Sequence, residues 1–119
     1  MNERYPEHAP QQEITRDTLR ILAEEGMVDD VNWAATQIPH ITIAEVVPFQ
    51  LTALRVRSGR YRDEARKYDD LSKLSGNQAW QDHMLGNANK FWEMSVADLN
   101  EVTRIENIHR KGLEGDQAE

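Results

Sequence analysis

Cysteine is absent from the 119 residues, which removes any disulfide framework, thiolate nucleophile or zinc–thiolate site. An intracellular or virion setting is therefore expected. Long hydrophobic runs are also missing, and nothing approaches the roughly 20 apolar residues that a membrane-spanning helix needs. The start, Met1-Asn2-Glu3-Arg4-Tyr5-Pro6, lacks the charged-then-apolar pattern of a signal peptide. Positive charge is in deficit. A net charge of −7 argues against a general affinity for nucleic acid or anionic membrane. No glycine-rich phosphate loop, Gly-x-Ser-x-Gly elbow or His-Glu-x-x-His run occurs, so the sequence marks no catalytic residue and no cofactor.

What the chain does have is helical periodicity. Val47, Leu51, Leu54, Ser58, Tyr61, Ala65, Tyr68 and Ser72 follow one another at alternating steps of four and three, which keeps one face of a helix in line. A second long run with the same period extends from Trp80 to about Lys111. The expected fold is all-α, with two short N-terminal helices followed by a long antiparallel helical hairpin. Residues 1–12, with Pro6 and Pro10, read as an extended polar arm. The two short helices fall within 13–38. Gly26 caps the first, Asp29 or Asp30 is placed to cap the second, and Pro39 stops it. The hairpin spans 42–111 with its turn near 75–77, and 112–119 form a polar tail.

The first long helix opens with Thr42-Ile43-Ala44-Glu45, the pattern of a reciprocal capping box. Pro48, beyond the first turn, is expected to kink this helix or delay its start. A short strand over 40–47 is the competing reading, because Ile41 and Ile43 alternate. Gly59 weakens the helix without breaking the stripe.

The second long helix carries a wider apolar arc. Trp80, Met84, Leu85, Phe91, Trp92, Val96, Leu99, Val102 and Ile105 occupy neighbouring sectors around it, with Ala88 and Met94 alongside. The narrow stripe of the first long helix cannot cover that arc. The surplus falls to the short helices, a second copy of the chain or a partner protein, and these nine residues are the candidate interface.

Three weaker signals accompany the arc. Glu106-x-x-His109 has the i, i+3 spacing of a carboxylate–imidazole metal pair, yet no second such pair completes a site. Arg55, Arg57, Arg60, Arg62, Arg66 and Lys67 stand against only Asp63 and Glu64, forming a charged patch suited to acidic surfaces in this chain or a neighbour. Nucleic acid is a lesser alternative there, with Tyr61 and Tyr68 as stacking platforms. Residues 22–38 have a helix-turn-helix outline, but the second helix offers Asp29 and Asp30 where DNA contact requires cations.

The hairpin outline is similar to that of small secretion-substrate proteins. Those carry a Trp-x-Gly turn, whereas Trp80 here follows Gly76. It also resembles helical connector and packaging proteins of tailed viruses, in architecture alone and with no shared motif. The expected role is a non-enzymatic structural protein that self-associates through the wide apolar face, in a virion or another macromolecular assembly. The alternatives are an accessory or regulatory subunit that binds a different protein through that face, and a carboxylate/His metal-binding bundle formed across a dimer.

Overall fold

The computed structural model describes residues 13–118, with side chains to 112, so the expected arm at 1–12 lies outside the described residues. Four helices follow in order: α1 (Arg16–Glu24), α2 (Val28–Ala35), α3 (Ile43–Ser72) and α4 (Gln78–Ala118). The expected all-α fold is what forms, with two short helices and then a long hairpin in which α3 and α4 pack along each other.

Local chemistry sets most of the boundaries. Thr15 caps α1 by accepting from the Thr18 backbone N–H, so the helix starts three residues later than the apolar period alone implies. Gly26 adopts φ +71° at its end. There the Met27 N–H donates to the Leu22 carbonyl and the Gly26 N–H to Ala23, closing the last turn with two bonds. The second helix begins at Val28 behind Met27, so Asp29 and Asp30 sit inside its first turn rather than capping it. Their charge still favours that end of the helix dipole.

The capping box at the head of α3 forms in both directions. Glu45 N–H donates to the Thr42 hydroxyl at 3.2 Å, and Thr42 N–H donates to the Glu45 carboxylate at 2.9 Å. The 40–47 strand does not form, and the helix runs unbroken across Pro48. Pro48 and Ala44, whose carbonyl loses its partner, are both exposed, so water can satisfy the orphaned group. At the hairpin turn, Asn77 accepts from Trp80 N–H and starts α4 at Gln78, just ahead of the expected position. That helix continues past Lys111, where the sequence suggested a polar tail, to Ala118.

The most tightly buried cluster is not between the long helices. It joins Leu19 and Ala23 of α1, Val31, Ala34 and Ala35 of α2, and Ala53 of α3, with Ile38 beside them. Both short helices pack on α3 and on each other, and neither comes within packing distance of α4. The molecule is consequently thin. Its radius of gyration is 19.9 Å, against about 13 Å for a compact chain of this length. Its shortest dimension is 15 Å, room for at most two helix layers.

Candidate protein–protein interface

The seam of the hairpin is built from small and polar residues. Every member of the α3 stripe from Val47 to Ser72 is buried or half-buried, as its spacing required. The facing row of α4 is Met84, Ala88, Phe91, Ser95, Asp98, Val102 and Ile105, again at four-three steps. At its centre the Ser58 hydroxyl donates to the Ser95 carbonyl at 3.0 Å and lies 2.7 Å from the Ser95 hydroxyl. Next to this pair, Arg57 holds Asp98 with two bonds of 2.8 and 2.9 Å. The Arg57 guanidinium also lies over the Tyr61 ring, 5.8 Å from its centroid. Hydrogen bonding to Asp98 raises the Arg57 pKa above its ordinary value, against the opposing pull of desolvation. Toward the turn, Phe91 stacks on Tyr68 at 5.8 Å and tilts against Tyr61, and the Trp80 indole N–H donates to the Leu71 carbonyl at 2.8 Å.

This seam divides the nine candidate interface residues. Met84 and Val102 are buried inside the hairpin, while Phe91, Trp80 and Ile105 are half-buried. The first two therefore serve the fold and are corrected out of the interface set. Leu85, Val96 and Leu99 remain 42%, 52% and 42% exposed, with half-buried Trp92 among them. Hydropathy alone missed Ser95 and Asp98, which take inward positions that the arc had assigned to its larger neighbours. Spacing was the available signal, because both fall on the four-three series that begins at Met84.

Helical phase sorts the remaining side chains onto the two broad faces. On one face Arg55 reaches Glu106 at 2.6 Å. Stepping back by sevens from Glu106 gives Leu99, Trp92 and Leu85, and stepping forward by sevens from Arg55 gives Arg62 and then Asp69, with Arg66 one helical turn past Arg62. On the other face Arg57 meets Asp98. Sevens back from Arg57 give Gln50 and Ile43 on α3.

On this second face a trough of about 320 Å³ opens between α2 and the C-terminal part of α4, with α3 as its floor. Ile43, Val47, Leu54, Ile105 and Ile108 make it apolar, and Val28, Asn32, Glu101 and His109 stand at its walls. Ile43 is 80% exposed and Ile108 57%. No sequence signal marks this trough, because it exists only where three separate elements converge.

Glu106 and His109 gather no third ligand: Glu106 is engaged by Arg55, His109 lines the trough, and no group of three or more metal-ligating side chains forms among the described residues. The charged patch is largely spent within the chain. Arg55 pairs with Glu106, Arg57 with Asp98, Arg60 with Glu25, and Lys67 with Glu64. Among the described residues Arg62 and Arg66 make no ion pair. Glu101 is held below the usual carboxylate range by its hydrogen bonds from Arg104, and Lys67 is raised by its bond to Glu64. Trp33 of α2 is 58% accessible and is not among the residues lining the trough. No family model, curated protein or solved structure matches the chain.

Proposed function

We propose that this chain is a non-enzymatic assembly protein that works as a homo-oligomer, joined through the outer row of α4, in a virion or a comparable macromolecular structure. The observation that carries this reading is the row Leu85, Trp92, Val96 and Leu99, left partly or largely open along a helix that α1 and α2 do not approach. Its apolar length has no cover within the described chain, and contiguous exposed apolar surface is the mark of an association site. The proportions support the same conclusion. The surface measures 8724 Å², whereas a compact protein of this size exposes about 6,600 Å².

Light scattering of the purified full chain, with Val96→Glu beside it, tests the proposal. The native chain should give one defined oligomer, and the variant a monomer of unchanged helicity, because residue 96 is open to solvent in the single subunit. A native monomer at tens of micromolar would instead point to an accessory subunit awaiting a different protein. An intact oligomer in the variant would move the contact off this row.

A further inference from the structure

We propose that the subunits join head to tail, with the row Leu85–Trp92–Val96–Leu99 of one copy seated in the trough between α2, α3 and α4 of the next. This rests on the self-association proposed above and specifies its symmetry. The row and the trough occupy opposite broad faces, as the two cross-helix ion pairs Arg55–Glu106 and Arg57–Asp98 establish. A two-fold pairing would bring row against row and leave both troughs open, with Ile43 and Ile108 in water. Head-to-tail pairing covers both surfaces with one kind of contact.

Shape and charge agree with this arrangement. The row is the convex flank of a single helix, and the trough is a concavity walled by two helices and floored by a third. Arg62 and Arg66 flank the row without an ion partner among the described residues. At the trough, Arg104 is engaged by Glu101, while Asp29 and Asp30 stand in the first turn of α2 next to the lining residue Val28. Arg62 and Arg66 on the row's side, beside Asp69 and Glu93, and Asp29 and Asp30 near the trough offer opposite charges that would help set orientation. Two different patches per subunit are what a ring or a filament requires.

Complementation between two broken subunits provides the test. Val96→Glu spoils the row and leaves the trough intact, while Ile108→Lys spoils the trough and leaves the row intact. Both positions are more than half exposed in the single chain, and circular dichroism checks that each variant keeps its helicity. Leu85→Glu serves as a second row variant, expected to behave like Val96→Glu. Each variant alone should be monomeric by light scattering. Mixed in equal amounts, a row variant and Ile108→Lys should form a dimer with twice the subunit mass and stop there, because only one intact contact can be made. If Ile108→Lys keeps the native oligomer while Val96→Glu is monomeric, head-to-tail pairing is overturned and the row still mediates assembly. If the mixture stays monomeric, head-to-tail pairing is likewise overturned. If both row variants keep the native oligomer, assembly through the row falls, and this proposal falls with it.

Discussion

Replacing Asp98 with alanine removes the only carboxylate among the described residues that is nearly sealed from water, and it lies in the hairpin seam. Its side chain is 8% accessible and that of its partner Arg57 is 32%. The two bonds of 2.8 and 2.9 Å would be lost, and the guanidinium would remain at the seam without an acceptor. Breaking a fully buried pair costs about 3–5 kcal/mol. Here the exposed third of Arg57 regains water and the Tyr61 ring stays beneath it, so about 2–3 kcal/mol is the expected loss. For a chain of this length each kcal/mol shifts the melting temperature by about 3–5 °C, so a fall near 10 °C should follow. The assay is thermal unfolding followed by helicity, at fixed protein concentration so that the self-association proposed above, which would add stability, is held constant. Arg57→Ala and the double variant complete a cycle that isolates the pair. A shift under 2 °C for Asp98→Ala, or no coupling in the cycle, would refute the reasoning. Replacing both residues with leucine is expected to cost little stability, because an apolar pair needs no desolvation. It should loosen register, since both stripes repeat every seven residues and Ser58–Ser95 would be left as the main polar pin.

Four further outcomes are expected. Gly59→Ala should stabilise the fold by about 0.5–1 kcal/mol in chemical denaturation, because a Cβ there meets nothing within 4 Å. Gly26→Ala should instead cost about 2–3 kcal/mol, since φ is +71° and the new Cβ would lie 3.0 Å from Val56 Cγ1 and 3.3 Å from the Arg57 nitrogen. The Glu45 carboxyl is held below its ordinary value of 4.5, first by the Thr42 backbone N–H and then by Arg16. Its contribution is therefore complete above that value and is lost as pH falls through the depressed folded pKa. Glu45→Gln should lower the melting temperature at neutral pH and flatten its decline in acid, and parallel curves for the two proteins would show that the cap carries no such linkage. Trp80→Phe, which removes the indole bond to the Leu71 carbonyl while keeping an aromatic ring, should lower stability by about 1 kcal/mol, measured in the same melts.

The features that could be read from the sequence were those set by residues close together in the chain. The α3 stripe lies in its expected orientation because burial there follows a single helix's own periodicity. Thr42–Glu45 forms its box and Gly26 its left-handed turn because each needs only its immediate neighbours. The face of α4 that turns inward was less legible. By hydropathy Leu99 and Trp92 outweigh Ser95 and Asp98, so the apolar arc appeared to point toward the large residues. The polar residues go inward because α3 places Ser58 and Arg57 opposite them, residues some 40 positions away, and no reading of α4 alone contains that information. The arginine patch behaves in the same way. Glu25 after α1, and Asp98 and Glu106 of α4, come from two distant segments to neutralise Arg60, Arg57 and Arg55, which leaves Arg62 and Arg66 as its unspent part.

The small residues of the seam also account for the shape from which the functional reading proceeds. Alanine and serine at positions 58, 65, 72, 88 and 95 let two long helices lie side by side while burying little area per turn. The larger apolar side chains that would thicken a compact core are displaced to the edges: Leu85, Trp92, Val96 and Leu99 on one face, Ile43 and Ile108 on the other. A third layer of helix would normally cover such edges, and α1 and α2 are engaged elsewhere, on the flank of α3. A thin hairpin with a small-residue seam therefore reserves its greasiest side chains for its two faces. In a chain of this size the economical way to cover both is another copy of the same hairpin on each side.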